Sequence, residues 1–314
     1  MSILFSIIDS NHSEVGNFKT FVRDYPITPE VDEKITKLLR KLEKYDVQGL
    51  EVIIYTISII LLHNNDYSLY VNVLSYAEEI VEKISIVANQ EIKSDNLFPL
   101  IIMLLNEKYR ERLAIRMNTE VIQIAKDYSL SFSDNYFFSN LYSTLLEKYF
   151  DVTWPALSDA LLSEGEEYWK YYNFKGLLGA IIGSPSSLNN VFFQEKNYEK
   201  FLLWCDLNPK IAPVRLAAIT PVYQGDSFHP FVMFLLDIYG NNIEMLDSLS
   251  SNMGCFSWTG SVIPLYELKK KAFEQLLSHK NQIVAEWAKR QIEYTQIEIL
   301  ESQRREDEEK FFYS

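Results

Sequence analysis

The chain has 314 residues, 47% of them hydrophobic, and its 43 acidic and 30 basic residues give a net charge of −13. This hydrophobic content excludes an intrinsically disordered chain, and the length is enough for one large or two ordinary domains. The acidic balance argues against nucleic acid as the main partner, because binding to phosphates relies on clustered Lys and Arg; a basic protein partner is compatible with it. With only ten Gly and ten Pro, the chain has too few turn residues for a β-sandwich or barrel, which favours helices.

The first half of the chain predicts successive helices. Residues 30–45 place apolar residues at helical spacing on one face, and Pro29 precedes them where the first turn tolerates proline. Short polar connectors between predicted helices imply antiparallel neighbours, that is, stacked hairpins. The further helices of this half are predicted at about 47–63, 66–88, 95–107, 110–127 and 136–150.

No membrane-spanning or secretory segment is predicted. The most apolar run, residues 52–62, is 11 residues long, whereas a bilayer span needs about 20. Residues 1–8 are apolar but lack a basic flank, so they do not resemble a signal peptide. Cys205 and Cys255 have no Cys-x-x-Cys spacing, which predicts two reduced, buried thiols in a cytoplasmic protein.

The composition changes near residues 151–155. All five Trp, both Cys and eight of the ten Gly lie beyond residue 150. We therefore predict an N-terminal helical region at 1–150 and a helical-repeat region at 151–314.

The second region predicts helices at 154–163 and 166–182, followed by a recurring unit. Each unit consists of a helix, a tight polar turn and a second helix, and such a unit has to stack on neighbours to bury its apolar face. The three units pair residues 198–207 with 211–223, 230–239 with 243–249, and 265–278 with 282–299.

Segments 208–219 and 280–292 match in kind, because each has a turn, a Val ahead of an Ala, and a closing Ile. Val214 and Arg215 fit a Val–Arg pattern, whereas the last unit departs from it with Glu286 and Trp287. Over about 100 residues this resembles HEAT-type repeats. The resemblance implies an all-α fold of stacked antiparallel helical hairpins, a HEAT-like α-solenoid that is irregular in the N-terminal half.

One insert, residues 252–261, interrupts the repeats. Its two Gly and two large aromatics do not suit a helix, so it either plugs the groove between repeats or presents an aromatic anchor to a partner. The candidate partner-binding residues here are Phe256, Ser257, Trp258 and Ser261. Together with the helix around Trp287, the insert is similar to the closing segment of certain large bacterial proteins used in conflict with phage. That similarity implies a sensor, adaptor or scaffold in a defence system.

The C-terminal tail carries a charged run, residues 301–310, which extends the last helix and gives the solenoid a polar cap. Phe311 and Phe312 follow it. They either dock in a partner's groove or fray with the chain end.

Several patterns resemble catalytic or metal sites but have simpler explanations. Ser227 follows Gly225 and Asp226 as in one lipase-like hydrolase family, but no downstream Asp-x-x-His exists. Asp226 and Ser227 are better N-cap candidates for the helix at 230. The four His lie far apart, no phosphate-binding glycine loop is present, and the acidic group Glu164, Glu166 and Glu167 suits a first helical turn. We predict no catalytic residue, metal or cofactor.

The sequence therefore predicts a non-enzymatic protein-interaction module, a scaffold, sensor or adaptor. Two alternatives stay open. An acidic inhibitor would neutralise a basic toxin with the help of electrostatic steering, and an enzyme would need a pocket with convergent polar groups.

Overall fold

The computed structural model describes residues 28–43, 46–62, 69–85, 94–108, 110–124, 136–178, 187–224, 226–254 and 259–313. Within these ranges the protein is all-α, as predicted, with two short strands as the exception. No helix in the described ranges is both long and apolar enough to cross a membrane. The chain divides into two compact units, one ending at Thr153 and the other beginning at Trp154.

The helices up to the second unit are α1 (Pro29–Leu42), α2 (Asp46–Leu62), α3 (Val71–Lys83), α4 (Ser94–Glu107), α5 (Glu111–Ile124), α6 (Tyr136–Lys148) and α7 (Phe150–Leu161). Those that follow are α8 (Tyr168–Leu178), α9 (Ser187–Phe192), α10 (Tyr198–Leu207), α11 (Ala212–Ala217), α12 (Pro230–Tyr239), α13 (Ile243–Asn252), α14 (Ile263–Glu274) and α15 (Gln282–Tyr313). Two single 3-10 turns are Gly165–Glu167 and Glu195–Asn197, and the strands are β1 (Tyr223–Gln224) and β2 (Ser227–Phe228).

Helix α1 forms from local signals. The side chain of Thr28 accepts the backbone N–H of Val31, and Pro29 occupies the first turn. Acidic residues lie in the first turn and basic residues in the last, which complements the helix dipole. Its buried face, including Ile35 and Leu39, packs on α2 and α3. The apolar run at 52–62 lies inside α2 and is largely buried, which confirms the prediction of a core helix.

Helix α3 is capped at both ends by side chains from other helices. The buried carboxylate of Asp32 in α1 accepts the backbone N–H groups of Asn72 (2.8 Å) and Val73 (3.0 Å). At the other end, Arg116 in α5 donates to the carbonyls of Val81 (2.5 Å) and Glu82 (2.7 Å). An anion therefore faces the positive end of the helix dipole and a cation the negative end.

Aromatic side chains build the core of the second unit. Phe201 contacts Trp154, Phe192 and Phe231, with ring centroids 4.8–5.4 Å apart. Two asparagines secure the end of α11: Asn189 donates to the carbonyl of Ile219, and Asn252 donates to those of Ala217 and Thr220. These bonds satisfy carbonyls that a helix end would otherwise leave buried without a partner.

The helix predicted at 211–223 is shorter in the structure, and Asn252 bonds to the backbone where it ends. The helix expected at 211–223 ends at Ala217, and the chain continues into a hairpin in which Tyr223 pairs with Phe228. Pro221 has no backbone N–H, so it could not have continued the helix ladder.

Tertiary hydrogen bonds recur at a characteristic sequence separation. Asp32 and Asn72 are 40 residues apart, and Arg116 and Val81 are 35 apart. In the second unit, Trp287 donates to Ser250, 37 residues away. Each separation is about the length of one helical hairpin with its connections.

Candidate interaction surface

Helices α10 and α12 expose large apolar side chains on their outer faces. Leu203 and Leu207 in α10 are 60% and 72% exposed, and Phe234 and Ile238 in α12 are exposed as well. Within each helix the two residues lie four positions apart and therefore share one face. Leu277, in the turn after α14, is also exposed. We refer to these five residues as the apolar strip.

The two helices run side by side in the same direction. Near their N-termini, the ring of Tyr198 lies 4.9 Å from that of Phe231 and 5.7 Å from that of Phe234. Near their C-termini, the Tyr239 hydroxyl donates to Oδ1 of Asp206 at 2.5 Å. Contacts at both ends fix the helices in register.

The outer faces of α10 and α12 point to the same side of the unit. Their opposite faces meet in one aromatic core, where Phe201 and Phe231 lie 5.4 Å apart in an edge-to-face arrangement. Because both helices bury that face in the same core, Leu203, Leu207, Phe234 and Ile238 lie on the outer side of the unit, with the Tyr239–Asp206 hydrogen bond at the seam between the two helices.

The segment after α14 is held against α12 by contacts with the carboxylate of Asp237. Nζ of Lys280 lies 2.8 Å and Nε2 of His279 lies 3.3 Å from Oδ1 of Asp237. The hydrogen bond from Lys280 lowers the pKa of Asp237 below its ordinary value, and the contact with His279 acts in the same direction. Leu277, two residues before His279, is thereby fixed next to α12.

A close turn-to-turn contact adds rigidity beneath the strip. The side chain of Asn281 donates to Oδ1 of Asn241 at 3.0 Å. A Cβ atom on Gly240 would lie 2.4 Å from the carbonyl oxygen of Leu236 and 2.5 Å from Cγ2 of Val284. There is no room for a side chain at residue 240, so glycine is required there. The backbone of this turn packs directly against the side chain of Val284.

Charged residues lie on the elements that carry the apolar strip and next to them. The exposed acidic residues include Glu199, Asp206, Asp237 and Glu274, and the lysines include the half-buried Lys200, the exposed Lys210 and Lys271, and Lys280, which pairs with Asp237. An apolar centre with a charged rim is the usual anatomy of a protein–protein interface. The net charge of the chain, −13, is compatible with a partner that has basic flanks.

The residues predicted from sequence as partner-binding are only partly described. Phe256, Ser257 and Trp258 lie outside the described residues. Ser261 is exposed, and its Oγ accepts the backbone N–H of Ile263 at 3.3 Å, so it helps to start α14. Phe311 is 81% exposed near the end of α15; Phe312 lies in the same helix, but its side chain is not described.

The prediction that Asp226 and Ser227 cap α12 is wrong. The N-cap residue is His229, whose Nδ1 accepts the N–H of Phe231 at 3.2 Å, and burial lowers the pKa of this histidine. Ser227 belongs to β2, and its Oγ accepts from Nε2 of Gln275 at 3.3 Å. The hairpin positions both residues away from the cap, because Phe228 packs between Tyr223 and Phe273.

Other candidate groups are part of the scaffold. The guanidinium of Arg215 lies 3.7 Å from the ring of Tyr171 and 3.9 Å from Oε1 of Glu164. Burial raises the pKa of the Cys205 thiol to about 12, far from the range of a reactive cysteine. In the described part of the chain, no three His, Cys, Asp or Glu side chains come together as a possible metal site.

Sequence reasoning missed the apolar strip, although α12 carries a signal for it. In the segment 230–239, Asp237 is the only charged residue, and apolar residues occur on all sides of the helix. A helix that is apolar all round is buried on every side or covered by a partner. One side of α12 is nevertheless exposed, so Phe234 and Ile238 stay uncovered in the described structure.

Comparison with known proteins gives no match. No family model matches the chain, and neither a curated protein nor a solved structure matches it. The resemblances to HEAT-type repeats and to bacterial conflict proteins therefore stay predictions from the sequence.

Proposed function

We propose that the protein is a non-enzymatic interaction module that binds an apolar, basic-flanked segment of a partner protein on the apolar strip. The observation that carries the proposal is the alignment of Leu203, Leu207, Phe234 and Ile238 on two helices held in register. Large apolar side chains that are exposed close together on one side of a protein often mark a binding site.

The arrangement suits binding because the surface is formed before a partner arrives. The Tyr239–Asp206 bond, the Asp237–Lys280 pair and the Gly240 contact fix the helices on which the strip lies. Preorganisation reduces the ordering cost of association. Sequence separations of about one hairpin between bonded residues support the further proposal that the units stack as a HEAT-like solenoid.

An acidic inhibitor of a basic effector is a second candidate, which the net charge of −13 favours. In that case association would be steered electrostatically, and its rate would fall steeply with added salt. An association rate that does not respond to salt would contradict this candidate and leave the apolar strip as the main source of affinity. Membership of a bacterial defence system stays a proposal that rests on the sequence resemblance.

The proposal can be tested with a double variant, Leu207→Ser with Phe234→Ser. Both side chains are exposed, so helix content should not change. Partners purified with the wild-type chain from its native cells would be identified, and their affinities measured with purified protein. We expect binding to weaken about tenfold or more, since apolar anchors at the centre of an interface carry much of its energy.

The matched control is Val71→Ser with Ile115→Ser, which also removes two exposed apolar side chains, but in the first unit. It should leave the affinity unchanged. An unaltered affinity of the strip variant, or an equal loss with the control, would refute the proposed surface.

A further inference from the structure

One face of the long helix α15 has a mirrored sequence. Six residues on it occur at intervals of 4, 4, 3, 4 and 4 positions, an order that is the same in both directions. At about 100° per residue, they fall within a face about 100° wide. They are Glu286, Arg290, Tyr294, Ile297, Glu301 and Arg305, and we refer to them as the mirrored face.

The mirrored face is open to solvent. Tyr294 is 65% and Ile297 54% exposed, and the four charged residues are exposed as well. The helix buries a different side, which includes Val284, Ala288 and Ile299, against its neighbours. The mirrored face therefore presents two apolar residues, with charged residues beyond them in both directions along the helix.

The chemistry of this face is complementary to itself. When the helix is read backwards, Glu286 takes the place of Arg305 and Arg290 takes the place of Glu301, while Tyr294 and Ile297 exchange. Two antiparallel copies related by a twofold axis between residues 295 and 296 would thus place both acidic residues of the mirrored face opposite basic ones. A twofold axis generates each pair twice, which gives four opposite-charge pairs around four apolar side chains.

We propose that α15 forms an antiparallel helix pair with α15 of a second copy of this chain. Parallel pairing in register is disfavoured, because it would place Glu286 on Glu286 and Arg290 on Arg290. The bond between Nη2 of Arg305 and Oε2 of Glu301, 3.3 Å long, is compatible with pairing, since both side chains already lie on one face. Exposed charge pairs are individually weak and one helix covers a modest area, so the dimer is reversible, with a dissociation constant roughly in the micromolar range.

This surface is separate from the apolar strip. The strip lies on α10, α12 and the turn after α14, whereas the mirrored face lies on α15 and involves none of the strip residues. A test of self-association is therefore independent of a test of partner binding, and either proposal can fail without the other.

A charge exchange tests the pairing. In Glu301→Arg, an arginine faces Arg290 of the other copy at two places, and we expect sedimentation equilibrium of the full chain to show dimerisation about tenfold weaker. Adding Arg290→Glu re-creates opposite charges at those places and should restore dimerisation to the wild-type level or above. Glu309→Arg is the matched control: it makes the same charge change on the same helix, opposite the uncharged Gln282, and should have no effect.

Circular dichroism of each variant would show that the helices are intact, and Ile297→Asp provides a second way to disrupt the centre of the pair. A wild-type chain that stays monomeric at about 100 μM would overturn the proposal. So would a dimer that resists both Glu301→Arg and Ile297→Asp, or one that the double charge exchange does not restore.

Discussion

Asp32 and Val73 are 41 residues apart, yet Oδ1 of the aspartate accepts the backbone N–H of the valine at 3.0 Å. The same carboxylate accepts the backbone N–H of Asn72 through Oδ2. Tyr70, at the N-cap of α3, supplies no side-chain cap. One helix therefore provides the cap that another helix lacks, and the bond ties the two together.

Replacing Asp32 with Ala should destabilise the first unit by about 2–4 kcal/mol, because one buried and one part-buried backbone N–H group lose a charged acceptor. Urea denaturation followed by circular dichroism would measure the loss, and amide exchange at Asn72 and Val73 should accelerate. Glu33→Ala is the control, since this neighbour is exposed and forms its ion pair with Lys37 of the same helix, so its cost should stay near 0.5 kcal/mol. Equal effects of the two substitutions would contradict a special role for Asp32.

Gly240 and Gly176 should respond in opposite ways to alanine. A Cβ atom on residue 240 would lie 2.4 Å from the Leu236 carbonyl oxygen and 2.5 Å from Cγ2 of Val284, which is a steric clash. Gly240→Ala should therefore lower the free energy of unfolding by about 2–4 kcal/mol. At Gly176, inside α8, nothing lies within 4 Å of the added atom, and alanine should stabilise the helix by up to about 1 kcal/mol. Thermal denaturation of both variants would measure the two stability changes. An unchanged melting temperature of Gly240→Ala would contradict the prediction and show that the turn can move to make room for the added atom.

The capping of α1 could be predicted from sequence, because its signals are local. Pro29 and the first-turn acids lie beside the helix that they start. The role of Asp32 could not be predicted in this way. Within its own helix Asp32 is one of the acidic residues of the first turn, and only the tertiary fold shows that it caps α3.

The apolar strip shows the same limit for the candidate site. Periodicity identifies α10 and α12 as helices, but it cannot say which side of a nearly all-apolar helix is exposed. That depends on which face meets the aromatic core around Phe201 and Phe231. The hairpin at Tyr223–Phe228 was missed for a related reason, since the carbonyls of Ala217 and Thr220 bond to Asn252, which is distant in sequence.

Cys205 should resist alkylation in the folded protein. Burial raises the pKa of its thiol to about 12, so at about pH 8 only about one molecule in ten thousand carries the reactive thiolate. We expect iodoacetamide to leave the Cys205 peptide unmodified in native buffer and to modify it fully in guanidinium chloride, as read by mass spectrometry. Rapid modification without denaturant would mean that α10 opens readily.

His229 should make the second unit less stable in mild acid. Burial lowers its pKa in the folded protein, and its Nδ1 must stay unprotonated to accept the N–H of Phe231 at the start of α12. Between that lowered pKa and the ordinary histidine value of 6.5, the unfolded chain binds more protons than the folded chain, so stability falls as the pH falls. In His229→Asn the cap acceptor is kept but the titration is removed. The difference in unfolding free energy between wild type and variant should therefore be constant above about pH 7. As the pH drops towards 5, the difference should shift in favour of the variant. A difference that does not change with pH would contradict the neutral cap.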